Sequence, residues 1–398
     1  MNLITSAKFA FRQLWKNRTV SVLNLIGLAF SIACCVVIGM YVIHQLSFDD
    51  FHKNGNRIYR VTETQKQPGG IFQAAVTPGP LAPALIKDFP EISRAVRIGS
   101  WSGTLKYGKT VIDEKQMLLT EPSFFSMFTF SALMGNVDDF LKSDQDMVIT
   151  EDAAVRLFGS DWKKSNGIIG ETVTFNGEQD FRVAGVVANP PANSSINFSV
   201  LLPLSYLFKT DEWSNNWGSN NYHTYIEVKP GSDMPAFEVK ARDQLKKYVT
   251  NTEDKLGFQP LSRQYLYSKF DFNTDWGIRS NIKYVQIFSA VGLILLIIAC
   301  VNFVNLSTAG AIRRSLEVGV RKVNGASRRQ LVFQFLGETI LLSSLAGLLA
   351  IILISLTRPY FLDFTGIDLE IDFTQPVFIG LLVGFVLVIG VLAGAYPA

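Results

Sequence analysis

The sequence predicts an α-helical membrane protein with four transmembrane helices and a mixed α/β extracytoplasmic domain inserted between helices one and two. Three observations carry this. Of the 398 residues, 48% are hydrophobic, and these gather into four long runs, each able to cross a bilayer as a helix. Between the first two runs lies a long polar stretch, residues 44–282, large enough for a core of its own. The short segment 308–330, between the second and third runs, carries Arg313, Arg314, Arg321, Lys322, Arg328 and Arg329 against the single acid Glu317, as cytoplasmic loops do.

Residues 1–18 place Leu3, Ala7, Phe11 and Leu14 on one face, with Lys8, Arg12, Lys16 and Arg18 around them, and read as an amphipathic helix on the cytoplasmic leaflet. The first transmembrane helix spans 19–43, with Trp15 and Tyr41 near its ends where aromatic belts sit. Its apolar run is too long for a cleaved leader, so it stays as an anchor. Ser31-Ile-Ala-Cys34 is a poor lipoprotein box, because its cysteine lies within the span.

Residues 44–282 read as an outer α/β domain of two lobes. The stretch Arg57–Thr62 alternates as a strand does. The prolines from Pro78 to Pro83 open a helix that runs to Lys87. Thr150 caps a helix with Glu151 and Asp152 in its first turn and Gly159 at its end. Residues 171–187 form a hairpin around Asn176-Gly177. Ser232 or Asp233 starts a helix that carries Phe237, Ala241, Leu245 and Tyr248 on one face. The two lobes are inferred from proline-rich breaks and an aromatic, Asn-rich stretch over 213–225.

The second helix spans 283–307 and the third 331–357, which Arg358-Pro359 ends; 358–375 is a short outer loop, and the fourth helix spans 376–398. Gly380 with Gly384 and Gly390 with Gly394 are spaced for close helix packing. Asn302 and Asn305, near the inner end of the second helix, are placed to hydrogen-bond between helices. No basic flank follows the fourth helix, so we expect the sequence to be truncated or to be one half of a longer protein.

The segment 308–330 is also patterned. Ile312, Leu316, Val320 and Val323 make an apolar stripe of helical period, with Arg313, Glu317, Arg321 and Lys322 beside it. Asn324-Gly325 stops that helix, and Ser327 with Gln330 forms a capping box for the next. The stripe fits either a helix resting on anionic lipid or one that docks on a soluble ATPase.

What is missing narrows the function. The sequence holds no Gly-x-x-x-x-Gly-Lys-Ser/Thr phosphate loop and no Gly-x-Ser-x-Gly nucleophile elbow. His44, His52 and His223 lie far apart without metal-site spacing, and Cys34, Cys35 and Cys300 sit in apolar runs, so neither a metal nor a disulfide framework is indicated. The formal net charge of +3 gives no sign of nucleic-acid binding. The spans carry few ionisable groups at mid-membrane, which disfavours a polar solute path. The pattern suits a non-enzymatic device that moves an outer domain from inside. The competing readings are a scaffold that recruits or activates a periplasmic enzyme such as a cell-wall hydrolase, and a membrane-anchored enzyme acting through its outer domain.

Three stretches, Asn302-Phe-Val-Asn-Leu-Ser-Thr-Ala309, Glu317-Val-Gly-Val-Arg-Lys-Val-Asn-Gly-Ala326 and Gln330-Leu-Val-Phe-Gln-Phe-Leu336, resemble the permease subunits of the MacB/FtsX family of ABC transporters. Phe48-Asp-Asp-Phe-His52 with Arg57-Ile-Tyr-Arg-Val61, then Thr77-Pro-Gly-Pro-Leu81 and Phe89-Pro-Glu-Ile92, resemble the start of its periplasmic core domain. The likeness is to tandem-duplicated permeases of Bacteroidetes type, of which this sequence looks like the first half. The resemblance implies a multi-pass protein of the bacterial inner membrane with its N-terminus in the cytoplasm. It implies a cytoplasmic MacB-like ATPase that binds the ATP, with no cofactor in this chain, and a coupling site at Ile312, Arg313, Leu316, Glu317, Val320, Arg321, Lys322 and Gly325. A second permease half or a second copy would complete the transporter, with a periplasmic adaptor or enzyme as a further partner. Substrates of antimicrobial, peptide or lipid type are what such exporters take.

Overall fold

The structure is a computed structural model describing residues 18–163, 167–323, 327–365 and 375–395. The chain forms two compact units, one of the membrane helices and one of residues Ser47–Ile282. The amphipathic segment expected before Arg18 lies outside the described residues.

The first apolar run is a single helix, α1 (Arg18–Leu46). The outer unit follows. Its strands are β1 (Ile58–Gln67), β2 (Gly70–Ala74) and β3 (Thr77–Pro78), then, after helix α2 (Leu81–Asp88), the long β4 (Ile92–Tyr107) and β5 (Thr110–Thr120). The short α3 (Phe124–Met127) and β6 (Ala132–Met134) lead to β7 (Asp146–Thr150), α4 (Glu151–Phe158), β8 (Thr172–Phe175) and β9 (Gln179–Val187). The unit ends with β10 (Val200–Pro203), α5 (Leu204–Thr210), β11 (Asn220–Val228), α6 (Met234–Ala241), β12 (Lys255–Pro260) and α7 (Leu261–Tyr267).

All twelve strands join one mixed sheet whose main path is β12-β1-β11-β4-β5-β10-β7-β9-β6. The pairs β5–β10 and β7–β9 are parallel. Where the sequence led to an expectation of two lobes, one sheet runs through the unit. The reason is β4. Its first half pairs with β11 and its second half with β5 and β8, so one 16-residue strand bridges both parts. β7 is buried at all five residues and its neighbour β10 at all four, as strands covered on both faces require. Apolar clusters pack on the sheet: Met147, Phe181 and Val183 in one, Phe124, Val148 and Tyr225 in a second, Leu85, Ile226 and Phe237 in a third.

Local chemistry explains the elements. Thr150 Oγ1 accepts the Ala153 amide at 3.3 Å, and Gly159 ends α4 at φ 87°, as the composition predicts. The β8–β9 turn places Asn176 and Gly177 at φ 50° and 75°, the left-handed values these residues tolerate. Asp233 caps α6 through the Ala236 amide at 3.1 Å. The helix expected to reach Tyr248 stops at Ala241. A 3-10 turn over Gln244–Lys247 then returns Leu245 to the cluster that holds Phe237 and Ala241.

The membrane unit continues with α8 (Ile282–Val323), α9 (Arg328–Thr365) and α10 (Pro376–Ala395). Among the described residues, three stretches are long and apolar enough to cross a membrane: Val22–Leu46, Ile282–Asn302 and Leu336–Asp363. A shorter apolar stretch, Phe378–Val391, lies in α10. Two boundaries differ from expectation. The span expected over 283–307 and the separate basic helix after it are one unbroken helix, α8, of 42 residues. No proline falls between Ile282 and Val323, and charge by itself does not end a helix. Likewise α9 does not end at Arg358-Pro359; it carries Pro359 inside and runs on to Thr365, so the loop expected over 358–375 begins later. A proline removes one backbone hydrogen bond and bends a helix there, without obliging it to stop.

Candidate functional site

The residues singled out for ATPase coupling, Ile312, Arg313, Leu316, Glu317, Val320, Arg321 and Lys322, lie on the last turns of α8. Their side chains, and Gly325, fall outside the described residues. The backbone alone fixes one point: this basic segment continues the helix that starts where the outer unit ends.

Helix packing in the membrane unit uses one of the expected glycines, Gly390, and one that was not expected, Gly347. Gly380 and Gly384 face open space. A Cβ on Gly390 would approach Ser343 Oγ at 2.6 Å and Ile340 Cα at 3.0 Å, so α10 packs on α9 there. Gly347 of α9, not singled out from the sequence, does the same against Val386 of α10, at 2.8 Å. The available signal was its neighbourhood, since Ala346 and Ala350 are fully buried beside it. Gly394 lies outside the described side chains. Asn302 is exposed, but its Nδ2 lies 3.7 Å from the point a Cβ on Gly27 of α1 would occupy; Asn305 is exposed farther along α8. Gly390→Val is therefore expected to lower the melting temperature of the detergent-solubilised protein by several degrees, the effect of about 1–3 kcal/mol of overpacking, and Gly384→Val to leave it unchanged.

A second constellation lies where the outer unit's two chain ends meet. Arg60 of β1 is completely buried, an arginine on the inward phase of an otherwise ordinary strand. Each nitrogen of its guanidinium has a partner, Nε reaching Gln259 Oε1 at 3.2 Å. Nη1 donates to Asp275 Oδ1 at 2.5 Å, and Nη2 donates to Gln259 Oε1 at 2.7 Å and to Ser268 Oγ at 2.9 Å. The Phe270 ring lies 4.8 Å away beneath it. Directly opposite in the β1–β11 register, Tyr225 donates its hydroxyl hydrogen to Gln264 Oε1 at 2.9 Å and accepts from Trp276 Nε1 at 3.2 Å. His223 stacks on Trp276. The sequence signal for this cluster was the inward arginine itself, because a buried guanidinium requires a buried carboxylate elsewhere in the chain.

Burial tunes several titratable groups of the outer unit. Burial pushes the Glu63 carboxyl up to about 7, assisted by nearby Asp254 and opposed by hydrogen bonds from Gln65 and Asn220. Asp49 is pushed up to about 6, mainly by burial. Burial lowers His52 to about 4 and His223 to about 3, so both are neutral at pH 7. The signs differ. Glu63 holds its proton more tightly folded than unfolded, so the cost of ionising it is absent below pH 4.5, grows from there to 7, and is complete above 7. The histidines act oppositely, and their cost appears as pH falls below 6.5. Glu63→Gln keeps an acceptor for the same donors and is expected to stabilise the protein by roughly 2–3 kcal/mol at pH 8, with the gain gone by pH 4.5. Thermal melts at the two pH values check this.

Among the described residues no group of three or more His, Cys, Asp or Glu could hold a metal ion. The comparison with known proteins points to transport. Residues 21–244 match the MacB-like periplasmic core domain, and residues 289–398 match the FtsX-like permease C-terminal domain. The chain belongs to the MacB/FtsX family of ABC transporter permeases. The membrane-length helices among the described residues fit a permease of this family. Relatives include the macrolide export ATP-binding/permease protein MacB of Pasteurella multocida, 25% identical over 69% of this chain and 40% of its own. The pyoverdine export ATP-binding/permease protein PvdT of Pseudomonas putida is 23% identical over 100% of this chain and 58% of its own. The uncharacterized ABC transporter permease YvrN of Bacillus subtilis is 20% identical over 88% and 86%. The chain spans about two fifths of the length of the first curated MacB relatives it matches. Among solved structures, a domain of a putative permease protein from Porphyromonas gingivalis is 22% identical, covering 52% of this chain and 92% of its own, with a TM-score of 0.44.

Proposed function

We propose that this MacB/FtsX permease couples ATP hydrolysis by a separate cytoplasmic ATPase to movement of its outer domain. The observation that carries the reading is the unbroken helix α8. Its first residue, Ile282, closes the outer unit, and its last turns hold the basic segment 312–323, with a membrane-length apolar stretch between. A rigid helix passes displacement along its axis, whereas a flexible loop between span and docking segment would absorb it. In this reading α10 is a fourth span, 20 residues long and so about 30 Å. The N-terminus lies in the cytoplasm, and ATP binds to the partner subunit. A second copy or a second permease half completes the transporter. Export of antimicrobial, peptide or lipid-type compounds is the favoured outcome of the movement; activation of a periplasmic enzyme is the alternative.

The test is affinity purification of the membrane-extracted protein, followed by hydrogen exchange with and without ATP. The expected result is that an ABC ATPase co-purifies and ATP changes exchange in residues 47–282. An outer domain indifferent to ATP in the presence of bound ATPase would overturn the reading.

A further inference from the structure

The outer unit has two covalent connections to membrane helices: the exit from α1 at Ser47 and the return to α8 at Ile282. Two residues hold both ends at once. The Ser195 amide donates to Asp49 Oδ1 at 2.8 Å on the exit end, and the Ser195 carbonyl accepts from the Ile278 amide at 3.2 Å on the return end. Tyr265 stacks its ring on Phe48 of the exit end, centroids 3.3 Å apart and planes 1° from parallel. Its carbonyl accepts from the Ser280 amide of the return end at 2.8 Å. Gln264, between these two residues in space and next to Tyr265 in sequence, donates to Ser195 Oγ at 3.3 Å and accepts from Tyr225 at 2.9 Å.

The backbone at both ends is set for this. Asp49 stands at φ 64°, unusual for a non-glycine residue, and its amide donates to Asn193 O at 2.9 Å. Gly277 stands at φ 76°, and a Cβ there would overlap the Ser195 carbonyl oxygen. From the return end, Asp275 reaches Arg60 and Trp276 reaches Tyr225, which are directly paired residues of β1 and β11. The sheet therefore meets both chain ends through one contiguous buried cluster.

We propose that Ser195 and Tyr265, with the Arg60–Asp275 pair behind them, form a clasp that fastens the two chain ends of the outer unit to each other and to strands β1 and β11. A pull arriving through either membrane helix then loads the same two paired strands, and the ends do not fray separately. Ser195 and Tyr265 act as positioning residues. The inference gives a mechanical role to the coupling proposed above, but the fastening itself is tested without ATP or an ATPase, so the two can fail independently.

The experiment perturbs one end and reads the other, using hydrogen exchange on the full chain in nanodiscs. Gly277→Ala strains the return end, and Asp49→Ala removes the exit end's carboxylate. The expected result is reciprocal. Gly277→Ala speeds exchange at residues 47–55 as well as at 276–281, and Asp49→Ala speeds exchange at 276–281 as well as at 47–55. Each effect is about fivefold or more, with β7 and β9 unchanged. If each variant loosens only its own end, the ends are anchored separately and the proposal is overturned. It is equally overturned if β7 and β9 loosen along with the ends in both variants, because the cluster is then ordinary core. Should Gly277→Ala alone disturb the whole sheet, the Asp49→Ala arm decides.

Discussion

A proline in place of Ala311 is expected to uncouple the ATPase from the outer domain without releasing it. Ala311 lies inside α8, between the apolar stretch that ends at Asn302 and the basic last turns. A proline there removes one backbone hydrogen bond and presses its ring on the carbonyl four residues earlier, at a cost of about 3 kcal/mol, which kinks or breaks the helix. The sequence of the docking segment is untouched, so the ATPase should still co-purify. The ATP-dependent change in exchange across residues 47–282 should fall several-fold, because the lever now has a joint. A variant that binds the ATPase and transmits ATP binding as well as the parent does would show that α8 is not the lever. Ala311→Ser is the control, since serine leaves the helix whole.

Glu317→Lys is expected to have the opposite profile, lost binding with an intact helix. Glu317 lies four residues from both Arg313 and Arg321, at the spacing of intrahelical ion pairs. Pairs at that spacing contribute roughly 0.3–0.5 kcal/mol each, too little to melt a 42-residue helix when reversed. At a docking surface the same reversal sets like charge against like, which costs several kcal/mol and weakens binding on the order of 100-fold or more. The two variants therefore separate transmission from attachment.

How legible all this was in the sequence depended on range. The Thr150 cap, the Asn176-Gly177 turn and the apolar runs follow from residues within a turn of one another, and the fold has them. The end of the second span was placed by a change in charge. Charge reports the side of the membrane, and the helix continues to Val323 because nothing in its backbone chemistry stops it. Pro359 was taken as a terminator, yet α9 keeps it. The glycines of α10 show the limit of spacing rules. Gly380, Gly384 and Gly390 belong to the same small-residue pattern, but only Gly390 among the three meets another helix closely. The clasp was beyond pattern reading altogether. Ser195 and Asp49 are 146 positions apart and Arg60 and Asp275 are 215 apart, so only the path of the sheet brings them together.

The most direct test of the coupling account compares the parent protein with Glu317→Lys in a pull-down from native membranes, probing for ABC ATPases and for ATP hydrolysis in the eluate. The account predicts that the parent brings down an ATPase and hydrolysis activity, and that Glu317→Lys, equally abundant and equally helical, brings down neither. An ATPase retained by Glu317→Lys at the parent's level, or absent from both, would contradict it and leave the basic end of α8 as a segment that rests on lipid.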